Sequence, residues 1–272
     1  MRQFVASSPL DSKGLLYIEG KDYKYLKNVL RIKSGDMVSV RLPDTRLVDM
    51  TACKVDVSSK RITLQLCDTL STITGENICN HLDEQRQNNT CQIMVLLQFV
   101  AKPQKMDLII RQAVECGVAV VVPVIGEYCQ GYALRNDRWD RIIREALSQC
   151  GSAVQTKVEK PMKLEEALCF CQSMAKELGF ENESLGIVLY ERNNDTVSIH
   201  KAVAGKENAQ FITIAVGAEG GISPKEIEIM EKNGFSKVHL TTNILRCETA
   251  ALYGIASVQV AIAEREEWQY KE

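Results

Sequence analysis

Two patterns of hydrophobic and polar residues follow one another along the chain. In the first 75 residues, short runs of strand type are separated by polar connections, and they cover residues 15–19, 37–42, 47–57 and 61–66. Closely spaced strands of this kind are typical of a small β-barrel. After the first strand, Leu26, Val29 and Leu30 recur at helical spacing, which predicts a helical turn inserted into the barrel.

From residue 91 onward, continuous apolar runs alternate with segments that have a helical period. The apolar runs predict buried strands at residues 91–100, 118–124, 185–190, 211–216 and 237–240. Helices are predicted at residues 106–114, 139–150, 164–178, 223–233 and 252–262. Strands that alternate with helices favour a parallel sheet with right-handed crossovers, so the predicted fold class is α/β.

The last predicted helix is apolar on most of its sides. A helix of this kind must be covered on most of its sides, which predicts burial in the core and against a second subunit. Burial inside a larger monomer is the alternative.

A polar stretch without a sustained period separates the two patterns. It covers residues 68–90 and is rich in Ser, Thr, Asn, Gln and acidic residues. We therefore predict a β-barrel domain at residues 1–75, a linker at 76–90 and a second domain at 91–272.

The composition is that of an ordinary soluble protein, with 45% hydrophobic and 25% charged residues. No apolar stretch is long enough to cross a bilayer and the first residues lack a signal-peptide core, so we expect a cytoplasmic protein with no membrane partner. The 10 cysteines are scattered without a C-x-x-C pair. We expect them to be buried reduced thiols, and we predict no metal site.

A glycine-rich loop follows the apolar run at residues 211–216. The loop reads Gly217-Ala-Glu-Gly-Gly221, and Ser223, Pro224 and Glu226 then predict a helix that starts with a capping box. Such a loop lies at the carboxyl end of its strand, where open α/β sheets bind ligands. The loop fits neither the dinucleotide nor the phosphate-loop motif, and a tight turn without a ligand is the alternative.

A second junction, after the predicted strand at residues 237–240, is crowded with polar side chains. They precede the last apolar helix and are Thr241, Thr242, Asn243, Arg246, Glu248 and Thr249. Together with the glycine loop, they indicate a binding site rather than two unrelated turns.

These segments resemble a known family. GAEGGISPKE and LTTNILRCETAALYG are similar to the two signature segments of the RsmE family of 16S rRNA (uracil-N3)-methyltransferases, in the SPOUT superfamily. YLKNVLRIKSGDMVSV is similar to part of the family's PUA-like barrel, and Lys105, Glu115, Gly117 and Val118 match a further segment. The resemblance implies a trefoil-knotted parallel-sheet domain after that barrel. It also implies a homodimer that uses S-adenosylmethionine to methylate N3 of a uridine in 16S rRNA of the small ribosomal subunit.

The resemblance also implies the residues of the site. The cofactor slot, formed mostly by backbone groups, falls on Tyr190, Gly217, Glu219, Gly220, Leu240, Ile244 and Leu245. The catalytic candidates are Arg246, as a cation that orients phosphate or substrate, and Glu248. A structural ion pair of Arg246 with Glu248 or Glu219 is the alternative, and His200 and His239 are expected to be structural.

The barrel carries the candidates for RNA contact. Residues 1–75 have a net charge of +4, whereas the whole chain has −2. The candidates for phosphate binding are Arg2, Lys27, Arg31 and Lys33, with ordinary surface charge as the alternative.

Several positions depart from the family pattern. Thr241 stands where Gly is usual, Asn243 where Arg is usual and Ala218 where Pro is usual. Ser152 replaces a further Arg, and residues 127–130 replace an Arg-Ser pair. These departures keep two other functions open: a catalytically weak RNA-binding or ribosome-assembly factor with the same fold, and a related methyltransferase with a different RNA target.

Overall fold

The computed structural model describes residues 4–44, 46–67, 92–131, 136–152, 154–192, 195–206, 208–240 and 243–268. The chain divides into two compact units, which are Met1–Asn88 with Leu147–Ala153 and Asn89–Ala146 with Val154–Glu272. The predicted linker and both of its boundaries lie outside the described residues, so the domain limits stay predictions.

The first unit contains a five-stranded sheet. Its strands are β1 (Phe4–Val5), β2 (Leu15–Ile18), β3 (Met37–Arg41), β4 (Leu47–Asp56) and β5 (Arg61–Leu66). Their order is β1-β3-β4-β5-β2, and β1 and β3 form the one parallel pair among these strands. Alternation along the strands buries Val40, Met50 and Leu64 in one core. The four predicted strands are confirmed, and β1 was missed because two residues carry no period.

The predicted helical turn is only partly regular. Helix α1 (Gly20–Lys24) continues as a π-helical turn at Tyr25–Val29. Leu26 is buried as predicted, but Val29 is 55% exposed. A π turn takes more residues than an α turn, so the two side chains no longer share one face and the predicted face is wrong at Val29.

The second unit alternates strands and helices. Its strands are β6 (Ile93–Phe99), β7 (Val120–Ile125), β8 (Lys157–Val158), β9 (Met162–Lys163), β10 (Ser184–Leu189), β11 (Phe211–Val216) and β12 (Phe235–Val238). Its helices are α2 (Pro103–Glu115), α3 (Asn136–Cys150, of which the residues from Leu147 onward belong to the first unit), α4 (Leu164–Glu177), α5 (Ile199–Ala204), α6 (Pro224–Lys232) and α7 (Cys247–Trp268).

These strands form one parallel sheet, which confirms the α/β class. The order is β12-β10-β11-β6-β7-β8, with β9 also paired to β7. Every pair is parallel. The connection from β11 to β12 passes back across β10, so the carboxyl ends of these three strands are neighbours.

Hydrophobic layers cover both faces of the sheet. Ile212 and Ile214 of β11 point into the layer that contains α7, whereas Phe211 and Ala215 point into the layer that contains α4. All six residues of β11 are buried. Burial on both faces is the physical reason for the continuous apolar run in the sequence.

Some elements differ from the prediction. Strand β12 covers Phe235–Val238, so it begins and ends two residues before the predicted limits of 237 and 240. It begins directly after Gly234, whose φ of 83° turns the chain after α6. Helix α7 is longer at both ends than the predicted 252–262. Three short elements, α5, β8 and β9, were not predicted because they span too few residues for a period.

The eight cysteines in the described part of the chain are free. Cys171 and Cys247 are buried, but Cys53, Cys150 and Cys169 are exposed, so the prediction of buried thiols is wrong for these three. Cys53 sits at the register shift of β4 with its thiol 3.1 Å from Oε1 of Gln65 on β5, and Cys169 lies on the exposed side of α4. Within the described residues, no helix is both long and apolar enough to span a membrane.

Candidate functional site

A cavity lies where three neighbouring strands of the second unit end. β10 runs into Tyr190, β11 into Gly217 and β12 into His239. The cavity has a volume of about 230 Å³ and is bounded by the loops after these strands and by the first turn of α7. Ligands of open parallel sheets bind at such a junction of carboxyl ends.

At the glycine loop, backbone atoms without side chains form part of the cavity wall. A Cβ added at Gly217 would lie 3.0 Å from the carbonyl carbon of Gly221, so the loop has no room for a side chain there. Gly221 has a φ of 76°, in the left-handed region that favours glycine. The Gly217 carbonyl accepts a hydrogen bond from buried Gln98 at 3.2 Å. The loop conformation is therefore fixed by sterics and by a contact from β6.

The predicted capping box after the loop is present. The Ser223 hydroxyl accepts from the Glu226 N–H at 3.3 Å, and Glu226 Oε2 accepts from the Ser223 N–H at 2.9 Å. Glu226 is 8% exposed, and its Oε1 accepts from the Glu127 N–H at 2.7 Å. One carboxylate thus starts α6 and also holds the loop at residues 126–131, which we call the β7 loop.

A charged cluster joins three elements beside the cavity. Lys105 of α2 places its Nζ 3.2 Å from Glu248 Oε2 and 3.5 Å from Glu219 Oε1. Glu219 also accepts from the Lys102 N–H at 3.3 Å, and the Cys247 thiol donates to Glu248 at 3.3 Å. Both carboxylates are thereby tied to α2.

The pKa values in this cluster follow from burial and pairing. Burial lowers the pKa of Lys105, but the hydrogen bond to Glu248 and the nearby negative charges outweigh it, so its pKa is raised. Burial raises the pKa of Glu248, but hydrogen bonds from its own N–H, Cys247 and Lys105 outweigh it, so its pKa is lowered. Burial, then the Glu248 contact, raises the pKa of Cys247 to about 12. The lysine and the glutamate are therefore charged at neutral pH, and the thiol is not.

The structure brings the predicted cofactor residues together. All seven line the cavity, and they are Tyr190, Gly217, Glu219, Gly220, Leu240, Ile244 and Leu245. Ile244 is 85% exposed, so its apolar side chain is available to cover a ligand. The assignment of these residues to a cofactor stays a prediction.

The predicted catalytic residues lie at the start of α7 and differ in their environment. Glu248 is paired with Lys105, as described above. Arg246 is exposed, and it forms no ion pair with any residue that the structure describes. Glu219 and Glu248 are thus bound by Lys105 rather than by Arg246.

The predicted RNA-binding residues lie in the first unit. Arg31 and Lys33 are exposed and Lys27 is half-buried, and none of the three has an ion pair in the described part of the chain. Arg31 has a φ of 55° directly after the π-helical turn. Arg2 and Thr241 lie outside the described residues.

Sequence reasoning missed three residues of this site. Glu191 lines the cavity and approaches Gly221, and His239 lines it while its Nδ1 lies 3.2 Å from the Tyr190 carbonyl oxygen. A carbonyl oxygen only accepts, so a hydrogen bond here requires the tautomer with its proton on Nδ1. Lys105 was noted for its resemblance but not assigned to the site, and the family segment was the signal that could have found it.

Comparison with known proteins decides the family. A profile of the RNA methyltransferase domain matches residues 87–259, which is well over half of the chain. The chain belongs to this RNA methyltransferase family. The match, together with the relatives described next, confirms the resemblance to RsmE-type methyltransferases.

Several named relatives extend over most of the chain. Ribosomal RNA small subunit methyltransferase E of Rickettsia conorii is 26% identical over 89% of this chain and 88% of its own. The enzyme of the same name from Neisseria gonorrhoeae, whose structure was solved with bound S-adenosyl methionine, aligns with a TM-score of 0.72 at 23% identity, over 96% of this chain and 97% of that one. A Legionella pneumophila methyltransferase solved with the same cofactor aligns at 0.71 and 21% identity, over 96% and 98%. These solved structures support the fold of the family.

The residues around the cavity fit S-adenosylmethionine. Such a ligand combines a flat purine, a ribose and a charged amino-acid tail. The cavity offers backbone groups without side-chain bulk at Gly217 and Gly220, apolar surface at Leu240 and Leu245, and a carboxylate at Glu191. This mixture of apolar surface and convergent polar groups suits one small ligand.

Proposed function

We propose that the protein is an S-adenosylmethionine-dependent methyltransferase that modifies N3 of a uridine in the 16S rRNA of the small ribosomal subunit. The observation that carries the proposal is the convergence of all seven predicted cofactor residues on one cavity, in a chain of an RNA methyltransferase family. When bound, the cofactor supplies a methyl group activated by its positively charged sulfur.

The chain's own residues act mainly by positioning. Direct transfer of a methyl group needs the acceptor atom in line with the bond that breaks, and a rigid binding site supplies this alignment. The fixed backbone of the glycine loop and the segment from Leu240 to Leu245 would hold the cofactor. Lys105 keeps Glu219 and Glu248 in place, so that the loop and the start of α7 hold one arrangement.

Glu248 and Arg246 have different charged neighbours, so we assign them different roles. Glu248 is engaged by Lys105 and its pKa is lowered, which makes it a weak base. We assign it the task of positioning Lys105 and the start of α7. Arg246 is exposed directly before α7 and has no ion pair within the described residues, so it is available to bind a phosphate or the oxygen of a uracil that loses its N3 proton.

The first unit would bind RNA. Exposed cations that have no carboxylate partner release counterions when they bind phosphates, and within the described residues Arg31 and Lys33 meet this condition. The same proposal includes a PUA-like barrel in the first unit and a trefoil knot in the second. The return of the chain across β10 between β11 and β12 supports the knot.

The proposal also includes that the protein forms a homodimer in the cytoplasm. One side of α7 carries an apolar stripe at spacings of three and four residues, and its exposed members are Tyr253, Ala256, Val260 and Ala263. Tyr253 is 45% and Val260 52% exposed. A second copy of the chain that covers this stripe would remove its apolar side chains from water, as happens when helices pair through a heptad pattern.

The test is direct. 16S rRNA and small subunits from a strain that lacks the gene are incubated with the purified protein and S-adenosylmethionine, and the digested nucleosides are analysed by mass spectrometry. We expect N3-methyluridine at one position. Methylation of another nucleotide or another RNA would support the related methyltransferase instead.

Calorimetry separates the enzyme from the weak-factor alternative. Asn243 lines the cavity where relatives of this type usually carry an arginine, which is the observation that favours a catalytically weak RNA-binding factor. An enzyme binds S-adenosylmethionine, and a factor that has lost the activity need not. Absence of detectable binding, with intact RNA binding, would move the conclusion to the alternative.

A further inference from the structure

An exposed aromatic residue stands beside the cavity and has no part in the roles assigned above. Tyr128 is 45% exposed. A Cβ added at Gly220 would lie 2.9 Å from Tyr128 Cβ and 3.8 Å from its Cγ, so the base of the ring lies against the glycine loop. Gly220 lines the cavity, whereas Tyr128 is not among the described residues that line it. The ring therefore lies outside the proposed cofactor slot and next to it.

The β7 loop that carries Tyr128 is held firmly. Buried Glu226 accepts from the Glu127 N–H at 2.7 Å, and the Gly126 carbonyl accepts from the Cys129 N–H at 3.1 Å. The Cys129 thiol donates to the Val124 carbonyl at 3.7 Å. A Cβ at Gly126 would lie 2.4 Å from the Phe99 ring, so the loop fits tightly against β6. An exposed ring on an anchored loop is a fixed surface.

The proposed reaction needs such a surface. N3 of uridine lies on the Watson–Crick edge, so a stacked or paired base must leave its neighbours before the atom can be reached. Unstacking costs a few kcal/mol, and stacking on an aromatic side chain offsets this cost. An aromatic face also suits any pyrimidine without reading its edge, which leaves N3 free to react.

We propose that Tyr128 is the stacking platform for the target uracil. This inference rests on the proposed function, because it names the substrate contact of the same site. The glycine loop then has a ligand on each side: its inner side faces the cofactor slot, and Gly220 supports the ring that holds the base.

The experiment compares Tyr128→Leu with Tyr128→Phe. Leucine keeps apolar bulk without an aromatic face, and phenylalanine keeps the face without the hydroxyl. The matched control is Tyr17→Leu on β2, because Tyr17 is 47% exposed and belongs to the other unit. Each variant is assayed for kcat/KM with the rRNA substrate and for the Kd of S-adenosylmethionine by calorimetry.

We expect Tyr128→Leu to lose about tenfold or more in kcat/KM, which is the scale of one base–aromatic stack. Tyr128→Phe and Tyr17→Leu should stay within about twofold of the wild type, and all variants should keep the wild-type cofactor Kd.

Three results would overturn the inference. The first is an unchanged kcat/KM in Tyr128→Leu. The second is a parallel loss of cofactor affinity in that variant, which would make Tyr128 a support of the loop. The third is an equal loss in Tyr128→Phe, which would assign the effect to the hydroxyl. Failure of the proposed function is seen separately, since the wild type itself would then form no N3-methyluridine.

Discussion

Two exposed cations of the first unit and one paired lysine of the second have opposite environments. In the first unit, Arg31 and Lys33 are exposed and have no ion pair in the described part of the chain. In the second, Lys105 binds two carboxylates beside the cavity, and its side chain is 25% exposed. A solvated cation can exchange its counterions for phosphates, whereas a paired and half-buried one fixes local geometry. The comparison separates a surface that we propose to bind RNA from a cluster that holds its residues in place.

The largest expected effect comes from removing the paired cation. Lys105→Met leaves Glu219 and Glu248 close together without a counterion, so we expect the free energy of unfolding to fall by about 2 kcal/mol, below the cost at a fully buried pair because both partners are partly solvated. Chemical denaturation measures the change. Lys160→Met, at an exposed lysine with no ion pair among the described residues, should have almost no effect. Equal stability of the two variants would remove the contrast between a paired and a solvated cation.

A glycine substitution tests whether the site is rigid. Gly221→Ala places a Cβ on a backbone with a φ of 76° and 3.1 Å from Glu191 Oε1, so we expect a loss of stability of about 1–2 kcal/mol and weaker binding of S-adenosylmethionine. Gly205→Ala is the control, because Gly205 has a negative φ and its nearest neighbour for a Cβ lies at 3.6 Å. A Gly221→Ala protein with normal stability and normal affinity would contradict a preorganised loop.

The solvated cations should matter for RNA and not for stability. We expect Arg31→Ala with Lys33→Ala to weaken RNA binding by about 1 kcal/mol and to reduce the slope of log K against log salt by roughly 1 to 2. Filter binding over a salt series measures both quantities. The unfolding curve and the cofactor affinity should stay those of the wild type. An unchanged salt slope would take these two residues off the RNA surface.

The smallest effect is a pH dependence of the ion pair. The folded pKa of Glu248 is lowered from 4.5, so its contribution is complete above the unfolded pKa and is lost as the pH falls through the folded value. Glu248→Gln should therefore be about 1 kcal/mol less stable than the wild type at neutral pH, with the difference vanishing in acid. Denaturation curves between pH 7 and pH 3 test this. A difference that persists unchanged at the acid end would mean that packing, not charge, is responsible.

Periodicity predicted most of the fold because most elements are long enough to show it. β11 was predicted with its observed limits, since a run buried on both faces is apolar throughout. The capping box of α6 was predicted because its two hydrogen bonds join residues three apart. The π-helical turn was not predicted because it departs from the α-helical period. The two-residue strands were not predicted because they are too short to show any period.

The candidate site was predicted where the resemblance supplied motifs and missed where contacts are distant. The seven cofactor residues lie within two signature segments and one strand end. Lys105 meets Glu219 and Glu248 across more than one hundred positions of the chain, and no local pattern reports such a meeting. His239 was expected to be structural, yet it lines the cavity because β12 ends earlier than predicted.

By itself, the sequence determined the alternation of strands and helices, the glycine loop, the helix start after it and the family. These features depend on interactions between residues near one another in the chain, so local order encodes them. Only the tertiary structure decided that β10 lies between β11 and β12, that one lysine joins two carboxylates, and that an exposed tyrosine stands beside Gly220. Those outcomes depend on which surfaces pack together, and packing is a property of the whole folded unit.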